Sequence, residues 1–213
     1  MTICGELYDL VSVTMRASAG IALGFIALAS AADAPRFFPD SDGFRAQWYA
    51  RQLQALQEKP LCCDSAGHEP VVRFVWLPSF QHPVVIRLDE MAAGSWRVVT
   101  KTGSGTGGGD PGTLTTRKKR TLAAHDVAAM RALFKPTSWF WRTASAQAAT
   151  ATGDCAPDQS CVTLQGDGSQ WILEVRDGNR YHYVDRWSPK DGPVRDMGER
   201  LIALSQQDFG STQ

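Results

Sequence analysis

Apolar and polar residues alternate in several short runs of this chain, and the alternation predicts strands. Each run is rich in β-branched or aromatic residues, carries arginine or lysine between the apolar positions, and is bounded by turn residues. This pattern is typical of an antiparallel sheet with one solvated face. The three runs that show it most plainly span residues 71–76, 84–88 and 95–102.

Elsewhere apolar residues recur at intervals near 3.6, which predicts helices. The first helix is expected after Ser41 and Asp42, whose side-chain oxygens can cap it, and it should end at Pro60. Two further helices are expected, one between His125 and Pro136 and one over Val194–Ser205. Together these elements predict one α+β domain in which helices pack on one face of a largely antiparallel sheet.

A hairpin is expected between Trp171 and Pro189, where Asp177-Gly178-Asn179 separates two β-rich runs. A three-residue loop would make Glu174 the cross-strand neighbour of His182 and leave the other face almost wholly apolar, as a core requires. A two-residue Asp-Gly loop would slip the pairing by one and mix polar residues into that apolar face. We therefore expect the three-residue loop.

The expected register places a carboxylate, an imidazole and several guanidinium groups on one exposed sheet face. A histidine beside a carboxylate can act as an acid/base pair, so one hypothesis is a hydrolase that uses Glu174, His182 and Asp185. No recognisable nucleophile accompanies them, because Ser188 lies outside any G-x-S-x-G context. A binding surface is therefore the preferred interpretation of this face. Its residues would be Glu174, Arg176, Arg180, His182 and Arg186.

The glycine-rich stretch from Gly103 to Gly112 contains G-x-G-x-x-G, the spacing of a dinucleotide-binding loop. Such a loop must lead into a helix whose N-terminus meets the phosphates, but here a strand-like segment follows. A hairpin loop is therefore favoured. The basic run Arg117–Arg120 in the next segment has no interleaved aromatic residue on which a base could stack. It indicates a charged edge strand that resists aggregation rather than a nucleic-acid site.

The N-terminal residues have the three-part design of a secretory signal peptide: Arg16, a short apolar run, and Ala29-Ser30-Ala31 as a cleavage site. The run is shorter than the roughly 20 residues that a membrane span needs. We expect residues 1–31 to be removed, with Met15 as an alternative start of translation, and residues 32–213 to form the mature domain in the periplasm or outside the cell. That domain keeps 21 basic and 20 acidic residues, so no strong net charge directs it to nucleic acid.

Four cysteines remain after Ala31, and an even number in an exported chain indicates disulfides. They are Cys62, Cys63, Cys155 and Cys161. Pairing of the neighbours Cys62 and Cys63 is disfavoured because it needs a strained ring. The later two cysteines could instead pair with each other or reach back to the Cys62-Cys63 corner. Neither spacing matches the C-x2-C of zinc ribbons, so no metal site is expected.

The C-terminal quarter resembles a scattered group of uncharacterised bacterial exported proteins. The resemblance rests on W-x-x-E from Trp171, G-x-x-Y-H from Gly178 and R-W-S-P from Arg186, followed by an apolar helical stripe. It implies a hairpin followed by a terminal helix and implies no activity.

These observations favour an exported, non-catalytic binding protein, for instance an inhibitor or immunity-type protein that acts on a protein partner in the cell envelope. The alternatives are the envelope hydrolase described above and a structural accessory of a secretion or surface assembly. No cofactor, no nucleic-acid partner and no membrane span after leader removal are expected.

Overall fold

The structure is a computed structural model that describes residues 35–39, 43–63, 67–146 and 167–209. The expected leader over residues 1–31 lies outside the described residues, as do Cys155 and Cys161. The described residues form an α+β domain built on one antiparallel sheet, as the sequence predicts.

The sheet has six strands within the described residues: β1 (Val71–Pro78), β2 (Val84–Glu90), β3 (Trp96–Gly103), β4 (Leu114–Thr121), β5 (Ser169–Asp177) and β6 (Arg180–Trp187). Their order in the sheet is β4-β3-β2-β1-β5-β6, and every neighbouring pair is antiparallel. The charged strand β4 lies at one edge, which confirms the prediction of a basic edge strand.

Three helices cover the sheet, and they lie on both of its faces. Helices α2 (Ala124–Phe134) and α3 (Pro193–Ser205) pack on one face, and we call it the two-helix face. Helix α1 (Gly43–Ala55) packs on the other, the α1 face, together with Phe37 and Phe38. The expectation of helices on a single face therefore holds for α2 and α3, whereas α1 covers the opposite side. Short 3-10 helices at Ala92–Gly94 and Phe140–Arg142 complete the described elements.

Strand β1 shows the consequence of covering both faces, because all eight of its residues are buried. Phe74 and Trp76 contribute to the core beneath α2 and α3, while Val75 and Leu77 contribute to the core beneath α1. Arg73 shares the α1 face with Val75, so a residue that the sequence pattern places on a wet face lies in the interior.

The hairpin between β5 and β6 differs from the expected register by one residue. Asp177 pairs with Arg180 across a two-residue loop, and Glu174 pairs with Tyr183 instead of His182. Gly178 adopts a φ of +58°, a conformation that glycine adopts without a steric cost. As a result, Glu174 shares its face with Tyr183, while His182 lies on the opposite face.

Burial of the tyrosines explains this register. Tyr183 packs in the core beneath α1, with its ring centroid 5.0 Å from that of Phe38. The expected register treats one face as dry and places Tyr183 there with Trp171. Because helices pack on both faces of the sheet, apolar residues of β6 can be buried on either face. The alternation alone therefore does not show on which face a given residue lies.

The glycine-rich stretch forms the ordered connection between β3 and β4, which confirms the hairpin interpretation. Its carbonyl groups converge on the buried side chain of Gln52 in α1, whose Nε2 donates to the oxygens of Gly107 at 3.1 Å and Gly109 at 3.0 Å. A Cβ on Gly107 would lie 2.5 Å from the backbone of Leu77, so the glycine permits this close approach.

Trp171 is fully buried on the two-helix face, and its replacement by alanine should destabilise the fold. Its ring centroid lies 5.2 Å from that of Phe74, and its indole Nε1 donates to Ser169 Oγ at 2.7 Å. We expect Trp171→Ala to lower the free energy of unfolding by about 3 to 5 kcal/mol, the usual cost of emptying a large aromatic site. Urea unfolding measures this.

Phe44→Ala is the control, because the Phe44 side chain is 78% exposed. Its effect should stay within about 0.5 kcal/mol. Equal midpoints for Trp171→Ala and the wild type would show that Trp171 is not part of the core.

Candidate functional site

The α1 face holds a buried cluster of charged side chains beside the apolar core beneath α1. We call Glu58, Arg73, Lys101 and Glu174 the ionic cluster. Cross-strand pairing positions two of its members, because Arg73 on β1 lies opposite Glu174 on β5. All four residues are at most 6% exposed. Charged groups this deeply buried are stable only when they are paired.

Arg73 is the centre of the ionic cluster. Its guanidinium binds Glu174 in a bidentate manner, with Nε 2.5 Å from Oε2 and Nη2 2.7 Å from Oε1. Nη1 donates to the carbonyl oxygen of Lys59 at 2.7 Å and lies 3.3 Å from Glu58 Oε2. Burial alone would lower the pKa of Arg73, but the two carboxylates outweigh it and raise the pKa above its ordinary value.

Glu58 enters the cluster because the chain turns sharply after α1. Gln57 adopts a φ of +52°, and its carbonyl oxygen accepts a hydrogen bond from Lys101 Nζ at 2.7 Å. The same ammonium lies 2.5 Å from Glu58 Oε1. Burial would raise the pKa of Glu58, but the charges of Arg73, Arg87 and Lys101 outweigh it and hold the pKa below its usual value. Burial lowers the pKa of Lys101.

The sequence pattern places Glu174 on an exposed face, but in the structure this side chain is fully buried. Tyr181 donates to Glu174 Oε1 at 2.9 Å, so both carboxylate oxygens are occupied. His182 lies on the other side of the sheet, and the expected acid/base pairing of Glu174 with His182 is wrong. In this arrangement the carboxylate neutralises Arg73 and is closed off from solvent.

Asp185 is buried separately, near the N-terminal half of α1. Its carboxylate accepts hydrogen bonds from Tyr49 Oη at 2.5 Å and from Gln170 Nε2, and it lies 3.8 Å from Arg45 Nη1. Burial raises the pKa of Asp185 above its ordinary value, and that of the Tyr49 hydroxyl as well. This group ties α1 to β6, and Asp185 lies opposite Ile172, two positions along β5 from Glu174.

Three of the expected binding residues hold a neighbouring segment against β6. Arg180 Nη2 donates to the carbonyl oxygen of Phe134 at 2.9 Å, and His182 Nε2 donates to that of Thr143 at 2.8 Å. Arg186 Nη2 donates to the carbonyl oxygen of Ala144 at 2.9 Å. These contacts attach the end of α2 and the chain that follows it to the sheet. A fourth expected residue, Arg176, is half-buried and donates to the carbonyl oxygen of Glu69.

Solvent-exposed charge is concentrated elsewhere, on the part of the α1 face that α1 leaves uncovered. Strands β2 to β4 present five cationic side chains to this face and one acidic side chain, Asp89, which is paired with Arg87 at 2.8 Å and Arg97 at 3.2 Å. We call the solvent-accessible cations the basic strip. They are Arg87, Arg97, Arg117 and Lys119.

The sequence signal for the basic strip is the alternation of cations along β3 and β4. Arg97 and Lys101 lie two positions to either side of Val99, and Arg117 and Lys119 are also two apart, so each pair shares a face. The sequence pattern shows the basic run of β4 but does not show how it aligns with β3. Pairing of Val99 with Lys119 and of Lys101 with Arg117 brings the two sets together.

The two cysteines within the described residues pair with each other as a disulfide of neighbouring residues. Ring strain disfavours a bridge between adjacent cysteines, so the sequence predicts another pairing, but the structure has this one. Cys62 is buried, and Cys63 is exposed and adopts a φ of +70°. A bridge from this corner to Cys155 or Cys161 is thus not the arrangement found.

Other site features are sparse in the part of the chain that the structure describes. A cavity of about 200 Å³ lies between β4 and the end of α3, and one of about 440 Å³ lies beside Gly168 and Arg195. Over the described ranges, no three His, Cys, Asp or Glu side chains are grouped as metal ligands, and no helix is long and apolar enough to span a bilayer. Comparison of the chain with protein-family models, curated proteins and solved structures gives no match.

The ionic cluster makes stability depend on pH. Because the folded pKa of Glu58 lies below its ordinary value of 4.5, its carboxylate stabilises the fold fully above pH 4.5, and this stabilisation is lost as pH falls through the folded pKa. We expect Glu58→Gln to cost about 3 to 5 kcal/mol at pH 7, since it breaks a buried pair. The difference in the free energy of unfolding between the variant and the wild type should become smaller below pH 4.5.

Denaturant unfolding between pH 7 and pH 3 measures this difference. The raised pKa of Asp185 acts in the opposite direction, but it is present in both proteins and cancels. Glu199→Gln is the control, because that side chain is 51% exposed and paired only within α3. If the free energies of unfolding of Glu58→Gln and the wild type differ by the same amount over the whole pH range, the ionised Glu58 carboxylate does not stabilise the fold as stated.

Proposed function

We propose that this chain is an exported, non-catalytic binding protein that recognises a protein partner in the cell envelope, as an inhibitor or immunity-type protein does. The observation that carries the proposal is the division of its charged residues into two sets. One set is buried and neutralised within the fold, and the other forms the basic strip. Within that strip Arg87 and Arg97 share the carboxylate of Asp89, whereas Arg117 and Lys119 are exposed and make no ion pair with a described residue.

The buried set argues against the hydrolase alternative. An acid/base pair must reach its substrate, yet Glu174 is closed off by Arg73 and Tyr181, and Asp185 is closed off by Tyr49 and Gln170. His182 lies on the opposite face from both and is bound to a backbone carbonyl. These side chains are used to assemble the domain.

The exposed set supports a binding role. Although the whole chain has a formal net charge of zero, the cations on this sheet face give the face a local positive charge. Such a patch attracts a complementary acidic surface and orients its approach. Arginine also contributes strongly to protein interfaces, because its planar guanidinium can bind carboxylates in a bidentate manner.

Export is supported by the leader-like N-terminus and by the Cys62–Cys63 disulfide, since disulfides persist mainly in oxidising compartments. An envelope partner follows from that location. A structural accessory would also bind an envelope protein, but it would do so as part of a permanent assembly.

The test combines localisation with reconstitution. The full chain is expressed from its own leader, the envelope fraction is cross-linked, and the partner recovered with the chain is purified and recombined with it. We expect a mature N-terminus at Ala32, a stoichiometric complex, and a dissociation constant that rises about tenfold or more between low and high salt, because exposed charges are screened.

Charge-neutral variants show whether the basic strip carries the binding. Arg97→Gln/Lys119→Gln should weaken the complex, while the control Lys190→Gln/Arg200→Gln, which removes two exposed cations elsewhere, should not. An unprocessed N-terminus in the soluble product, or turnover of the partner by the chain, would contradict the proposal.

A further inference from the structure

Strand β4 lies at an edge of the sheet, and its four basic side chains divide into two pairs, one on each face. It is the terminal strand of the sheet, and no described strand pairs with its outer side. Its side chains alternate between the two faces, so the four basic residues divide into Lys118 and Arg120 on the two-helix face and Arg117 and Lys119 on the α1 face.

The pair on the two-helix face, half-buried Arg120 and exposed Lys118, makes hydrogen bonds with the end of α3 and the residues after it. Arg120 Nε donates to the carbonyl oxygen of Leu204 at 2.7 Å, and Lys118 Nζ lies 2.5 Å from Gln207 Oε1. Both contacts attach β4 to the C-terminal end of α3, where cations are favoured by the helix dipole. They hold the edge strand in place.

The pair on the α1 face is exposed and makes no ion pair with a described residue. Arg117 and Lys119 are two positions apart, so their side chains are separated by about 7 Å along the strand. A further strand paired with β4 would place its own alternate side chains about 5 Å from these two.

We propose that β4 is a docking edge for an extended segment of a partner protein that carries Asp or Glu at alternate positions. The segment adds to the sheet as a seventh strand, with its backbone paired to the outer edge of β4 and its carboxylates against Arg117 and Lys119. This proposal rests on the proposed binding function and names the chemistry of the partner.

The positive charge of β4 favours an acidic segment over two other occupants, a second copy of this chain and a single-stranded nucleic acid. A second copy of β4 would bring four cations against four, and like charges in direct opposition destabilise pairing. An acidic strand would instead be attracted to these cations. The charges of β4 therefore disfavour pairing with a second copy of this strand and favour pairing with an acidic segment. A single-stranded nucleic acid would need aromatic side chains for stacking, and β2 to β4 present none to the α1 face.

The test uses the purified mature chain and three fluorescent nine-residue peptides. One peptide alternates Glu with Val or Thr, the second has Gln in place of Glu, and the third has the same residues as the first with all its Glu grouped at one end. Fluorescence anisotropy measures the affinities. Amide hydrogen exchange over residues 114–121 shows whether the peptide pairs with β4.

We expect the alternating Glu peptide to bind at least about tenfold more tightly than either of the others and to slow exchange in β4. Arg117→Glu/Lys119→Glu should abolish that preference, and the matched control Lys190→Glu/Arg200→Glu should keep it. Equal binding of the alternating and grouped peptides, unchanged exchange in β4, or equally tight binding of anionic lipid vesicles or single-stranded DNA would overturn the proposal.

Failure of this proposal can be distinguished from failure of the proposed function. If the envelope partner is lost on Arg97→Gln/Lys119→Gln while the alternating peptide leaves β4 unprotected, the binding function stands and edge pairing is wrong. If no partner is recovered with the wild type, the binding function fails whatever the peptide does.

Discussion

The fold depends on the neutralisation of Arg73 inside the sheet. A guanidinium on β1, one of the two central strands, has no solvent access. It is tolerated only because Glu174 binds it in a bidentate manner and Glu58 and a backbone carbonyl occupy its remaining side. This requirement fixes the β1–β5 register, since a shift by one residue would move Glu174 to the other face. It also brings the end of α1 onto the sheet, because Glu58 must reach the cluster.

The ionic cluster divides the α1 face into regions with different roles. Beneath α1 the face is apolar and packed with Phe38, Leu53 and Tyr183. Beyond the cluster, towards β4, α1 gives no cover and the basic strip meets solvent. The cluster thus forms the boundary between a dry core and a charged surface, and Lys101 and Arg87 contribute to that boundary through Glu58. The residues that stabilise the fold and those of the proposed binding surface are therefore neighbours on the same strands.

Much of this architecture is predictable from the sequence, because helical and strand periods depend on local spacing. The three helices, the first three strands, the hairpin near Gly178 and the charged edge strand all follow from it. The face assignments do not, since the alternation of β6 fits a core on either side of the sheet. Arg73 and Glu174 have the pattern of exposed residues, and only their long-range pairing shows that they are buried. The basic strip likewise depends on the β3–β4 register, which no local pattern contains.

A double-mutant cycle on Arg73 and Glu174 tests the central claim most directly. Arg73→Met and Glu174→Met should each lower the free energy of unfolding by about 3 to 5 kcal/mol, because each leaves a buried charge without its partner. The double variant should cost clearly less than the two together, with a coupling of about 1 to 3 kcal/mol. If the costs of the two single variants add up to that of the double variant within about 0.5 kcal/mol, the account is contradicted, since the two side chains would then not depend on each other.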